Sequence, residues 1–159
     1  MRRAMAIGVA AALAGCGMGV DLSQNCSMSV SVNGGAPSAV ECFAAGATSS
    51  GTNAVSIAMN GSLPNVNAAQ FAMTLPSAPS TGTYGAGNVT TAAAQVQTAS
   101  GAIYSQSNLG SMGTFSVVLT SVSSASANGG TAYFLHGSAT VTLMGQSGAP
   151  GTATISATF

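Results

Sequence analysis

Polar and apolar residues alternate along most of this chain. Met28, Val30 and Val32 interleave with Ser27, Ser29 and Ser31, the period of two that sends successive side chains to opposite faces of a strand. Asn33-Gly34-Gly35 comes next, residues that accept the positive φ of a tight hairpin turn. Val40 and Cys42 then resume the pattern. A hairpin centred near Gly34 sets Cys26 opposite Cys42. Val55, Ile57 and Met59 form a further apolar set, ended by Asn60-Gly61, and Phe71, Met73 and Leu75 another, stopped by Pro76. Weaker strands are expected around Tyr84, over 94–98 and at Ile103-Tyr104. Phe115, Val117 and Leu119 give the clearest one. Residues 133–136 and the set Ala139, Val141, Leu143 flank Gly137, where a bulge or kink is expected. In the last strand Ala153, Ile155, Ala157 and Phe159 share one face, and Thr152, Thr154, Ser156 and Thr158 take the other.

No stretch of this region has sustained helical periodicity with caps. The Ala-rich run 91–99 is the best helix candidate, and Thr90, Thr91, Val96 and Thr98 speak against it because β-branched side chains lower helix propensity. The expected fold is all-β, an antiparallel sandwich or partly closed barrel of about eight or nine short strands. Gly-Thr recurs at Gly51-Thr52, Gly82-Thr83, Gly113-Thr114 and Gly151-Thr152. The residues after each pair do not match, so turn chemistry explains it better than an internal repeat. Apolar positions are mostly small and Trp is absent, which predicts a thin core partly filled by Met.

The N-terminus is patterned differently. Arg2 and Arg3 precede the uncharged apolar run 4–13, and Leu13-Ala14-Gly15-Cys16 closes it. A positive start, a short apolar run and a small-residue exit make a secretory signal peptide. The run is too short to span a bilayer as a helix, which takes about 20 apolar residues. Residues 17–25 are polar and glycine-bearing, as in a tether, and Asp21 lies among them.

Charge sharpens this picture. Only 3% of the 159 residues are charged, against roughly 25% in a typical soluble domain. Two Arg, two acids and one His are all the chain holds. Without a basic patch there is nothing to neutralise phosphates, so nucleic acid is excluded as a partner. General acid–base and metal chemistry are poorly supplied, and no cofactor, catalytic residue or metal ligand set is expected. His136 has only Asp21 and Glu41 as acidic partners for a triad. Gly145-Gln146-Ser147-Gly148-Ala149 approaches a nucleophile elbow but lacks the final Gly and falls between two strands rather than a strand and a helix. A hairpin turn explains it better, which leaves a hydrolase a distant third reading. Glu41 and His136 alone fall short of the usual three or four metal ligands.

Outward positions carry Ser, Thr, Asn and Gln where Lys and Glu are common. Such a surface suits glycans or an envelope protein, with Tyr84, Tyr104 or Tyr133 as apolar platforms. It also suits self-association, because uncharged strands lack the gatekeepers that discourage edge-to-edge pairing. A terminal Phe159 on an alternating strand is similar to the closing strand of outer-membrane barrels. Those need strands of about 9 to 11 residues and aromatic girdles, whereas strands here are expected to be nearer about seven residues and aromatics are 5%.

Leu13-Ala14-Gly15-Cys16 resembles the lipobox of bacterial lipoproteins. The resemblance implies that residues 1–15 are removed and that the Cys16 thiol carries a diacylglyceryl group, with a further acyl chain on the new N-terminus. Gly17 in place of Asp then implies the outer membrane, at its periplasmic face or at the cell surface. Two or three acyl chains anchor stably, since each buried methylene contributes roughly 0.8 kcal/mol. With Cys16 lipidated, Cys26 and Cys42 remain as a pair in a compartment that permits disulfides. Closing that loop of about 15 residues would stabilise the fold by about 3 kcal/mol in the chain-entropy model. The order of Gly82-Thr83-Tyr84, Gly113-Thr114-Phe115 and a strand closing on Phe159 is similar to small β-rich bacterial lipoproteins, which implies a sandwich and no particular activity. The leading expectation is a lipidated tether (16–25) and one non-catalytic β-sandwich domain (26–159) acting as a structural or binding module of the envelope. The alternative is a self-assembling or adhesive surface subunit.

Overall fold

The computed structural model describes residues 24–48, 55–63, 66–107, 113–127 and 130–159. The expectations for the signal peptide, for Cys16 and Asp21, and for Gly51-Thr52 lie outside the described residues. Every described element is a strand: β1 (Gln24–Val32), β2 (Ser38–Thr48), β3 (Val55–Leu63), β4 (Val66–Leu75), β5 (Gly82–Tyr84), β6 (Thr91–Thr98), β7 (Ile103–Ser107), β8 (Thr114–Ala127), β9 (Gly130–Met144) and β10 (Thr152–Thr158). Nine of them have five or more residues and β5 has three. The run 91–99 is strand β6, with Ala92, Ala94 and Val96 buried between half-exposed Gln95 and Gln97. Three of the four Gly-Thr pairs stand where a strand opens, at β5, β8 and β10.

The hydrogen-bond ladder runs β5-β8-β9-β10-β1-β2-β3-β4-β6-β7, antiparallel throughout. It folds over on itself. Phe71 on β4 packs against Phe115 on β8 with ring centroids 5.8 Å apart and planes tilted by 47°, although the two strands are far apart in the ladder. The result is an all-β, sandwich-like arrangement of two facing layers. At the far seam β7 returns to the end of β9 through one bridge, Tyr104 to Gly145. The Gln146 amide adds a bond to the Ile103 carbonyl (2.9 Å). A single bridge does not make a closed barrel.

One face of β1, β4, β6, β8, β9 and β10 fills the space between the layers. Met28 and Val30, Phe71, Met73 and Leu75, Phe115, Val117 and Leu119, Val141 and Leu143, and Ile155 are all buried. Among the described residues seven alanines share that core, including Ala69, Ala94 and Ala153, so the larger side chains carry most of its buried apolar area. Outward positions are mostly Ser and Thr on β1, β8, β9 and β10, and Ala, Gln and Thr on β4 and β6. That is the reverse of a transmembrane barrel, which carries its apolar band outside.

Two features differ from the sequence expectation. Seven of the ten described strands are longer than seven residues, reaching 14 in β8 and 15 in β9. β9 gains length by changing partners. Residues 138–144 pair with β10, while Ala132 and Tyr133 pair with β2. The change comes where β10 runs out: the Gly137 amide donates to the Phe159 carbonyl (2.7 Å) and the Phe159 amide to that of Gly137 (3.0 Å). Asn60-Gly61 does not end its strand either. Both residues lie inside β3, paired to β2 on one side and β4 on the other, and pairing on both sides overrides a local turn preference.

The expected irregularity at Gly137 is present as a bulge on the opposite strand. The β8–β9 register shifts between Leu119 and Ser121, leaving Thr120 as the extra residue. Its hydroxyl donates to the His136 carbonyl (3.1 Å). A Cβ at Gly137 would sit on the Val118 carbonyl oxygen, so only glycine allows the two backbones this close. The first hairpin is also as expected. Asn33 and Gly34 both have positive φ, at 53° and 71°, and the Gly35 amide donates to the Val32 carbonyl (3.0 Å), a type I′ turn. The Asn33 side-chain oxygen accepts from the Thr152 amide (3.0 Å), tying this turn to the start of β10.

Candidate functional site

Register makes the outer face of β1, β10, β9 and β8 a grid of hydroxyls. One row reads Ser31, Thr154, Thr142, Thr114. The next reads Ser29, Ser156, Thr140, Ser116, and the third Ser27, Thr158, Ser138, Val118. Neighbouring strands lie about 4.8 Å apart and alternate residues on one face about 6.7 Å apart. All twelve side chains are exposed or half-exposed. The face therefore presents closely spaced donors and acceptors with no charge among them. Each hydroxyl gives one donor and two acceptor sites. The period-two Ser/Thr pattern of each strand is legible in the sequence. That four such strands lie side by side in register is not, because strand order is a tertiary property.

Along β9 this face continues to exposed His136 and half-exposed Phe134, which sequence reasoning did not join to it. Glu41 occupies the same register row as Ser27, Thr158 and Ser138. Farther along, β2 meets β9 directly at Gly46 and Tyr133. Among the described residues no group of three His, Cys, Asp or Glu is placed to hold a metal. No buried side-chain polar atom among them lacks a hydrogen-bond partner.

The three tyrosines do not form one platform. Tyr104 is 2% exposed, and its hydroxyl donates to the Pro150 carbonyl (3.2 Å). Its ring is part of the core, so the expectation that it meets a ligand at the surface is corrected: β7 turns it inward to close the seam against the β9–β10 turn. Tyr84 is half-buried, and its hydroxyl donates to the Ser80 carbonyl (2.8 Å) and accepts from the Ser80 amide (2.9 Å). That hydroxyl is committed to its own loop. Tyr133 is half-buried on the part of β9 that meets β2. It lies twelve residues from Gly145, the bridge partner of Tyr104.

The segment Gly145-Gln146-Ser147-Gly148-Ala149 is the turn between β9 and β10. Ser147 and Gly148 have φ of 54° and 90°, and the Ala149 amide donates to the Gln146 carbonyl (3.0 Å). Ser147 is exposed at its tip. Gln146 donates from its side chain to the Ser105 carbonyl (3.1 Å), so this turn helps to hold the seam.

Cys26 and Cys42 are register partners between β1 and β2, and Cys26 is half-buried against the core. Directly opposed residues of an antiparallel pair have Cα atoms about 4.5–5.5 Å apart. That lies inside the roughly 4.4–6.8 Å a disulfide bridges.

No family model, no curated protein and no solved structure matches the chain.

Proposed function

We propose that this chain is a lipid-anchored protein of the bacterial cell envelope whose β domain is a non-catalytic structural or binding module. The N-terminal pattern carries the reading: Arg2-Arg3, the short apolar run and Leu13-Ala14-Gly15-Cys16. The lipid on Cys16 would hold the domain at the outer membrane. The uncharged hydroxyl grid and the Phe134–His136 edge would face outward, chemistry that suits neutral, hydroxyl-bearing partners such as glycans.

Cys16→Ser tests the anchor. The parent chain should incorporate a labelled fatty acid and sediment with membranes, and the variant should lose the label and appear in the soluble fraction. Continued labelling of Cys16→Ser would overturn the reading.

A disulfide between Cys26 and Cys42 belongs to the same proposal, supported by their register and by the export signal. Purified under non-reducing conditions, the chain should show no free thiol after denaturation. Reduction should expose two and lower the stability by about 3 kcal/mol. Two free thiols before reduction would remove the disulfide from the account.

A further inference from the structure

β8 is covered unevenly along its outer edge. Over Val117–Leu119 it pairs with β5, and the chain after β5 is tied down over this part. The Asn88 side-chain oxygen accepts from the Gly85 amide (2.7 Å) and its side-chain amide donates to the Thr83 carbonyl (2.9 Å). The bulge at Thr120 ends that cover. From Ser121 to Ala127 β8 pairs with β9 on one side and with no strand on the other among the described residues. An antiparallel strand paired on one side turns alternate N–H and C=O groups outward on the other.

This open edge reads Ser-Val-Ser-Ser-Ala-Ser-Ala, and Ser121, Ser123, Ser124 and Ser126 are exposed. Edge strands are commonly protected from pairing by charge, by Pro or by a bulge that twists them away. Here neither a charge nor a Pro occurs in the segment, and the only bulge precedes it. A second copy therefore meets no like charge.

We propose that Ser121–Ala127 of β8 pairs antiparallel with the same segment of a second copy, joining two sheets about a two-fold axis. The edge is self-complementary, since the axis places each outward N–H against a C=O of the other copy, and a two-fold contact closes on itself as a dimer. Keeping both buried faces on one side of the joined sheet pairs positions of equal parity. Centring on the middle of the segment then puts Ser124 opposite Ser124 of the second copy, and Ser123 opposite Ala125. Nothing in this inference requires the lipid anchor.

Cysteine cross-linking of the full chain expressed in cells tests it. Under a mild oxidant, Ser124→Cys should move most of the chain to a band of doubled mass on a non-reducing gel. The band should be reversed by reductant and absent from the parent chain. Thr140→Cys, exposed on the hydroxyl grid, should remain at single mass. Adding Ser123→Lys and Ala125→Lys to Ser124→Cys sets like charges opposite each other and should cut the cross-link at least tenfold. Equal cross-linking of Ser124→Cys and Thr140→Cys would overturn the proposal. So would a cross-link that survives both lysines, or no doubled band at all, as when another segment of the chain occupies the edge.

Discussion

Gly137→Ala is expected to destabilise the domain by about 3 kcal/mol or more. The added Cβ would meet the Val118 carbonyl oxygen and, at 3.1 Å, the Leu119 Cα. These are backbone atoms of the paired strand, so no rotamer change relieves the contact. Overpacking against movable side chains costs about 1–3 kcal/mol, and a rigid backbone obstacle puts this site at or above the top of that range. The position is also where β9 leaves β10 for β2, and its amide and carbonyl hold Phe159. Forcing the strands apart would therefore disturb several pairings at once. Urea unfolding should show a midpoint lowered by on the order of 1–2 M for a slope typical of a small domain. Gly87→Ala is the control, because a Cβ there meets nothing within 4 Å, and it should stay within about 0.5 kcal/mol of the parent. Equal stabilities for the two variants would mean that β8 and β9 are not this close at Gly137.

That glycine shows how far the sequence could be read. Its place between two apolar sets announced an irregularity. The extra residue proved to be Thr120 on the partner strand, and only the pairing of β8 with β9 reveals that. The same division holds elsewhere. Period-two alternation located the apolar faces of β1, β4, β8, β9 and β10 because burial on one side of a sheet is a local signal. Asn33-Gly34 fixed the first hairpin, and with it the opposition of Cys26 and Cys42, because turn chemistry sets register in a tight hairpin. Asn60-Gly61 misled for the converse reason, since β2 and β4 hold both edges of β3. Tyr104 had the same local look as Tyr84, yet one ring is core and the other half-exposed. The difference lies in the seam between β7 and β9, which joins residues about 40 positions apart in the chain. The hydroxyl grid was legible strand by strand but not as a surface, because it depends on β1, β10, β9 and β8 being neighbours.

Phe71→Ala should cost about 3–5 kcal/mol, the range for deleting a fully buried Phe. Phe71 is 1% exposed and lies in a core with many alanines, where few neighbours are large enough to move into the vacated space. The more discriminating measurement is its coupling to Phe115. The ladder places β4 and β8 far apart, with β9, β10, β1, β2 and β3 between them. A flat sheet would give the two rings no contact, and their truncations would add. Folded into two layers, they meet at 5.8 Å in a tilted pair. Such pairs are worth about 0.5–1.5 kcal/mol beyond the area they bury. A double-mutant cycle of Phe71→Leu and Phe115→Leu should therefore return a coupling of about 1 kcal/mol, where distant independent sites add to within about 0.3–0.5 kcal/mol. Leu keeps much of the volume and removes the ring, so the cycle reads the aromatic contact rather than general loosening of the core. Strict additivity would count against the folded-over sheet. A clear coupling would place β4 against β8 and support the two facing layers on which the one-sided hydroxyl grid depends.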